Sequence, residues 1–269
     1  MTAEEHLLLS ELIESHFGLS FPPEKRELLE MRLQVRMRHL HLQRFMDYYL
    51  HLRFDLDREL RQLAEVVTNN ESYFLRERHQ LEGLFGSGMN DLAAGRFLSK
   101  LRILCAGCAS GEEPYSMVIL GKELAPWLEL DIRAFDLDNA RLEAARHGVY
   151  GASALRAVAP EARSNYFRDL GDGRFELRAP LRQGVQLAHG NILDPECFEP
   201  AGAFDALFCR NVLIYFSERA FRRAIANFAR ALRPGGLLFL GHSESIIGRS
   251  ELFETVRLPQ CIAYRRRAE

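Results

Sequence analysis

From Leu101 onward, short apolar runs alternate with amphipathic stretches, and no other feature restricts the fold of this chain as much. The apolar runs predict strands at 101–107, 132–137, 204–210 and 236–241, and the stretches between them predict helices at about 111–124, 139–147 and 218–232. A strand that returns to its sheet by way of a helix runs parallel to its predecessor, so the pattern predicts an α/β fold with a doubly wound, mainly parallel sheet. Two segments break the alternation. Residues 173–188, GRFELRAPLRQGVQLA, predict two short strands about a turn containing Pro and Gly, a small antiparallel excursion beside the main sheet. Phe253 to Val256 and Cys261 to Arg265 predict a terminal hairpin that gives the sheet an antiparallel edge.

The first ~95 residues contain no convincing strand. Apolar positions recur at helical spacing in Leu8, Leu12, Ile13 and Phe17, and again in Leu28, Leu29, Leu33 and Met37. Gly18 suits a helix terminus, Pro22-Pro23-Glu24 suits the first turn of the next helix, and further helices fit Phe45 to Arg53 and Asp57 to Val67. The expected division is a helical domain over 1–80 and an α/β domain over 81–269, with a small β-subdomain at about 171–189.

Bulk properties exclude several function classes. With a formal net charge of -2, the chain has no global pull toward nucleic acid or an anionic membrane. The opening MTAEEHLLLSELIES lacks a secretory pattern, and no apolar run approaches the ~20 residues of a membrane span. A cytoplasmic location without membrane insertion is expected. The five cysteines include the C-x-x-C pair Cys105 and Cys108, but the second ligand pair of a structural zinc site is missing, so no metal is expected. His6, His39, His41 and His79 lack metal-ligand spacing and read as surface or packing residues.

The chemistry concentrates in ILCAGCASGEEPYS, Ile103 to Ser116, where a strand passes through a glycine-bearing turn into a helix. Such turns expose backbone N–H groups at a positive helix end, with Gly107 and Gly111 giving the backbone its freedom. Many nucleotide folds share this feature. Glu112-Glu113 narrows it, because two carboxylates there repel a pyrophosphate and suit a ligand carrying an ammonium and a sulfonium. Asp136, at the end of the next strand, can accept hydrogen bonds from both hydroxyls of a ribose, whereas Asp138 or Asn139 suits the N-cap of the following helix. Asn191, in HGNILD, stands where an amide and the backbone can border an adenine, and a simple turn is the alternative. FDALFCRNVLIYF carries Arg210, Asn211 and Tyr215 to the carboxyl edge, where sheets of this kind bind ligands.

These segments, together with TNNESYFLRE at Thr68 to Glu77 and LRPGGLLFLGHSES at Leu232 to Ser245, resemble the CheR family of chemotaxis-receptor protein-glutamate O-methyltransferases. CAGCASGEEPYS, FDLDNARLEAARHGVYG, FCRNVLIYF and GHSES occur in the family's order along nearly the whole chain. The resemblance implies a Rossmann-like S-adenosylmethionine (SAM)-dependent methyltransferase sheet preceded by an all-helical N-terminal domain that recognises substrate. It implies methyl transfer from SAM to glutamate side chains in the cytoplasmic helical region of chemoreceptors, leaving S-adenosylhomocysteine (SAH). By matching positions it implies cofactor contacts from Asn70, Ser72, Arg76, Gly107, Glu113, Asp136, Asn191, Ile192, Asn211 and Val212, with Arg76 and Tyr215 at the reacting end. The departures are Ser110 for the family's Thr, Cys105 and Cys108 for small residues, and Leu75 for Phe. The short loop in GDGRFEL counts against docking of a receptor's C-terminal pentapeptide.

The segment from Lys25 to Arg38 carries Arg26, Arg32, Arg36 and Arg38, with Arg44 soon after. Arg32 and Arg36 are accordingly expected to bind an acidic receptor helix, and the alternative is a solvated face paired with Glu24, Glu27 and Glu30. Two other functions compete: a SAM-dependent methyltransferase of RNA or a small molecule, and a non-catalytic SAM-binding signalling adaptor. The absence of an N-P-P-Y/F motif argues against base methylation, and the retention of Arg76, Glu113, Asp136 and Asn211 argues against loss of catalysis.

Overall fold

The computed structural model describes residues 1–93, 97–259 and 261–268. The N-terminal quarter is a helical bundle. Helix α1 (Ala3–Phe17) starts in a capping box, in which the Thr2 hydroxyl accepts from the Glu5 N–H while the Glu5 carboxylate accepts from the Thr2 N–H. It stops at Gly18, whose φ of 76° is the left-handed conformation of a helix C-terminus. A single turn at Pro23–Lys25 leads into α2 (Arg26–His39), followed by α3 (Phe45–Phe54) and α4 (Leu56–Val67).

Leu9, Ile13, Leu29, Leu33, Tyr48, Leu52 and Leu63 are fully enclosed in the bundle core. Leu8 is half-buried, and the inward stripe of α1 runs instead through His6, Leu9, Ile13 and Phe17. One charge lies inside this core. Glu59 accepts from Arg36 Nε and Nη2, both at 2.7 Å, and from the Tyr48 hydroxyl at 3.0 Å. Burial alone would raise its pKa, but these hydrogen bonds outweigh burial and hold the carboxyl below its ordinary value.

Residues 68–77 cross from the bundle to the second domain. Phe74 anchors the crossing, edge-on to the Tyr150 and Phe167 rings at centroid distances of 4.8 and 4.9 Å. Helices α5 (Arg78–Gly83) and α6 (Met89–Ala93) then lead to β1 (Lys100–Ala106), α7 (Glu112–Leu124), β2 (Glu129–Asp136) and α8 (Asn139–His147). After these come β3 (Val149–Gly151), α9 (Pro160–Tyr166), β4 (Phe167–Gly171), β5 (Arg174–Leu177), α10 (Ala179–Arg182) and β6 (Val185–His189). The chain closes with β7 (Phe204–Cys209), α11 (Glu218–Ala231), β8 (Leu232–Leu240), β9 (Phe253–Arg257) and β10 (Ile262–Arg266).

The main sheet has seven strands in the order β6-β2-β1-β7-β8-β10-β9. Its strands are parallel as far as β8, and the β9–β10 hairpin supplies the antiparallel edge. Successive strands leave β1 toward β2 and β6, and the chain then returns to β7 on the other side. The strand order therefore reverses between β1 and β7, which opens a crevice at the carboxyl edge.

The antiparallel excursion differs from the sequence expectation of 171–189. It is a three-stranded sheet, β3-β5-β4, that begins at Val149 and ends at Leu177. Residues 185–189 form β6, which pairs in parallel with β2 as an edge of the main sheet. The expected turn at Pro180 is the short helix α10, which carries the chain from one sheet to the other. The sequence had shown two neighbouring strands; β5 found its partners upstream, in segments too short to stand out by periodicity.

Candidate active site

A cleft forms where the helical bundle meets the carboxyl edge of the main sheet. Phe17 and Leu19 reach it from the end of α1, and Asn70, Ser72 and Arg76 from the crossing segment. The turn after β1 contributes Gly107, Cys108 and Glu113; the end of β2 contributes Phe135 and Asp136. Asn191 and Ile192 follow β6, while Arg210, Asn211, Val212 and Tyr215 follow β7. The cofactor-contacting and reacting positions expected from sequence thus share one cleft, although Arg32 and Arg36 do not line it.

Backbone geometry shapes its floor. Gly107 has φ of 83°, and a Cβ there would stand 2.8 Å from Val212 Cγ2, so glycine keeps the floor open. The Gly107 and Cys108 N–H groups both donate to the Phe135 carbonyl, which ties the turn to β2. Helix α7 starts at Gly111 without a side-chain cap, leaving the N–H groups of its first turn available at a positive helix end.

Asp136 is buried, with Oδ2 accepting from the Ala109 N–H at 2.7 Å and Oδ1 from the Asp138 N–H at 2.9 Å. Burial pushes its carboxyl up, and the two backbone donors pull against that rise. Each oxygen keeps a lone pair for a further donor. Asp138 caps α8 by accepting from the Arg141 N–H, as expected from sequence, and its other oxygen accepts from Asn70 across the domain boundary.

The Glu112-Glu113 pair divides, because consecutive helical residues point about 100° apart. Only Glu113 faces the cleft. Glu112 is buried beside Ser72 and Ser110, and burial, against the pull of those hydroxyls and Arg141, raises its pKa. The sequence expectation of two carboxylates facing one ligand is corrected to one.

Arg210, whose side chain is 2% exposed, donates through Nε to the Glu113 carboxylate and lies 3.9 Å from Glu77. Glu77 also bonds His242 Nδ1 at 2.9 Å. Burial would raise the pKa of Glu77, but His242 and Arg210 together hold it below the ordinary carboxylate value. A cation buried between two carboxylates fixes the orientation of Glu113. Arg210 is a cleft residue that sequence reasoning named without giving it a role; its signal was its place in FCRNV, directly after a strand.

Several cleft residues also join the two domains. The Asn191 amide is committed at both ends, donating to the His16 carbonyl at 2.7 Å and accepting from the Leu193 N–H at 2.9 Å. The Tyr215 hydroxyl accepts from Asn69, and the Tyr215 carbonyl accepts from the Ser20 N–H. Arg76 donates to the Glu71 carbonyl at 3.0 Å, and its guanidinium lies over the Tyr73 ring, 5.7 Å from the centroid. Phe17 and Leu19 escaped the sequence reading because their helical spacing marked Phe17 only as core.

Arg32 and Arg36 are not among the cleft-lining residues. Arg36 is bound to Glu59, and Arg32 donates to the Val67 carbonyl while lying over the Phe21 ring. Arg26, Arg38 and Arg44 are the exposed arginines of that region. Cys105 and Cys108 are buried free thiols, with Cys105 Sγ 3.5 Å from the Met117 sulfur.

A family model described as CheR methyltransferase, SAM binding domain, matches residues 70–262, and one described as CheR methyltransferase, all-alpha domain, matches residues 4–68. The chain belongs to the CheR methyltransferase family. Chemotaxis protein methyltransferase 2 of Vibrio cholerae is 36% identical over 92% of this chain and 87% of its own length. Chemotaxis protein methyltransferase of Vibrio parahaemolyticus is 33% identical over 97% of this chain and 96% of its own. The Pseudomonas aeruginosa protein named chemotaxis protein methyltransferase 2 is 34% identical over 95% and 91%. The CheR SAM-binding model covers the sheet through β9 and every cleft residue from Asn70 onward, and the all-alpha model covers the bundle that supplies Phe17 and Leu19.

The cleft suits SAM in chemical terms. Asp136 offers lone pairs to a ribose, Glu113 a carboxylate to an ammonium, and Arg76 a guanidinium to a carboxylate. Phe135, Ile192 and Val212 give apolar walls for an adenine and a thioether chain.

Proposed function

We propose that this protein transfers the methyl group of SAM to the side-chain carboxylates of glutamates in chemoreceptors, forming glutamate methyl esters and SAH. The observation that carries the reading is the placement of Glu113, Asp136 and Arg76 around one interdomain cleft in a chain of the CheR family. The names of its relatives, chemotaxis protein methyltransferases, support chemoreceptors as the substrates.

When bound, SAM supplies an electrophilic methyl carbon on a positively charged sulfur. The protein's part is placement. A glutamate side chain, with a reference pKa near ~4.3, is already ionised near neutral pH, so no residue has to remove a proton from it. Asp136 accepts from the ribose hydroxyls, and Glu113, aimed by Arg210, accepts from the ammonium. Asn191 and Ile192 border the adenine; Asn211 and Val212 line the methyl-transfer end; Asn70 and Ser72 reach the cleft from the crossing segment. Arg76 orients an anion, either the receptor carboxylate or the carboxylate of SAM, and Tyr215 stands beside the reacting oxygen. Holding the reactants in line is worth roughly 7–11 kcal/mol in favourable systems.

In this reading residues 1–80 recognise the receptor, and residues 81–269, joined by Asn70, Ser72 and Arg76 of the crossing segment, carry the chemistry, in the cytoplasm. The partner is the cytoplasmic helical region of the receptor, met by the arginines of α2, with Arg32 and Arg36 half-buried and Arg26 and Arg38 exposed, and by the exposed Arg44 at the start of α3. The turn joining β4 to β5 is tight, with Gly171, Asp172 and Gly173 all at positive φ, and this counts against docking of a receptor tail there.

The test is incubation with methyl-labelled SAM and receptor cytoplasmic domains, followed by mild alkali. Label released as methanol supports a glutamate ester, and label stable to alkali redirects the assignment to N- or C-methylation.

A further inference from the structure

The turn after β7 brings Asn211 and Val212 into the cleft, and a carboxylate outside the cleft holds that turn. Glu244 lies just beyond β8, in the GHSES motif. Its two neighbours, His242 and Ser243, are exposed, while Glu244 is buried. Its Oε2 accepts from the Gly241 N–H at 2.7 Å and the Asn211 N–H at 2.8 Å, and its Oε1 from the Val212 N–H at 2.8 Å and the Ile214 N–H at 3.3 Å. All four donors are backbone groups.

This arrangement has a cause in the chain's geometry. Asn211 has φ of 60°, the left-handed conformation that a side chain with a Cβ enters reluctantly and that Asn tolerates best. Leaving β7 through that conformation turns the N–H groups of Asn211, Val212 and Ile214 toward one point, a concave set of donors that requires an anion. Glu244 is that anion. Gly241 lets it approach: a Cβ at 241 would stand 2.8 Å from the Asn211 nitrogen and 2.9 Å from Glu244 Oε2.

We propose that Glu244 is a positioning residue for methyl transfer, an internal anion that folds the 211–214 turn so that Asn211 and Val212 meet the cofactor at the correct depth. This rests on the reading of the cleft as the SAM site. Glu244 itself is outside the cleft lining and acts only through the backbone it binds.

Glu244→Gln keeps the shape of the side chain and turns one acceptor into an NH2 group facing backbone donors. The variant should melt cooperatively, raise the SAH dissociation constant and the KM for SAM roughly tenfold, and lower kcat, with the KM for receptor unchanged. Hydrogen exchange at the Asn211, Val212 and Ile214 amides should accelerate. Gly241→Ala, which leaves the carboxylate in place and crowds its approach, should shift the same constants in the same direction, and it decides the matter if Glu244→Gln does not fold. A folded Glu244→Gln or Gly241→Ala protein with wild-type SAM constants overturns the proposal. Wild-type protein that binds no SAH removes the cofactor reading along with it, whereas a variant matching a SAH-binding wild type removes the positioning role alone.

Discussion

The helical bundle and the sheet edge each bury a carboxylate, and they keep it by opposite means. In the bundle, Glu59 is neutralised by Arg36 and shares the Tyr48 hydroxyl. At the sheet edge, Asp136 and Glu244 are held by backbone N–H groups, with no opposite charge in those bonds. Their pKa values follow: Glu59 is lowered, while burial raises Asp136 and Glu244. Glu59 lies outside the cleft, with Arg36 on both of its oxygens, and works for stability. Asp136 keeps a lone pair on each oxygen and can serve a ligand, whereas Glu244, with four backbone donors on its two oxygens, serves a turn.

The largest effect that tests this contrast is in the bundle. Arg36→Ala strands the buried Glu59 carboxylate and should destabilise the protein by about 3 kcal/mol, the scale for removing one partner of a buried pair. Denaturant melts measure this loss, and the SAH dissociation constant of the protein that remains folded should not change. A shift in SAH affinity equal to that of a cleft variant would break the separation between the two regions.

Asp136→Ala reverses the pattern. It should weaken SAH binding by about 2 kcal/mol, on the order of 30-fold, as expected for losing hydrogen bonds to a charged acceptor, while cooperative unfolding persists. Calorimetry decides, and an unaltered dissociation constant removes Asp136 from the site.

Charge reversal at the exposed Arg26 and Arg38 should raise the KM for receptor by a factor of about 5, roughly 1 kcal/mol, and leave SAH binding intact. Unchanged receptor kinetics would count against the α2 face as the docking surface. Arg36 is unsuited to this test, because reversing it would break the bundle first.

The smallest effect is in the pH dependence of stability. Glu59, lowered in the folded state, contributes stability that is present above its unfolded pKa and is lost as pH falls through its folded value. Asp136, raised in the folded state, has the opposite sign: between its unfolded and folded values the native state holds more protons, so stability falls as pH rises. Melting temperatures from pH 3 to 7, about the reference carboxylate range, should therefore show a shallower acid-side loss for Glu59→Gln and a smaller decline with rising pH for Asp136→Asn. Matching profiles for the two variants would erase the distinction.

Much of this was legible in the chain. The alternation after Leu101 gave four of the five parallel strands and their helices to within a few residues, since hydrophobic period is a local property that burial on both faces enforces. Asp138 as an N-cap and Gly18 as a helix stop were legible for the same reason: capping is decided by a few adjacent residues. The ordered motifs carried the family. Strand partners were not legible where the strands are short. Residues 173–177 and 185–188 look alike in sequence, and only long-range pairing sends the first to β3 and β4 and the second to β2.

The sequence by itself determined which residue types reach the carboxyl edge, because each stands at the end of a predicted strand or the start of a helix. Tertiary structure alone decided what each one does there. It separated Glu113 from Glu112 by the helical turn, committed Arg36 to Glu59 across two helices, bound the Asn191 amide to the end of α1, and enclosed Glu244 beneath the turn after β7. Identity and spacing are local, whereas the partners of a buried polar group come from segments far apart in the chain, and those partners fix its charge, its orientation and its use.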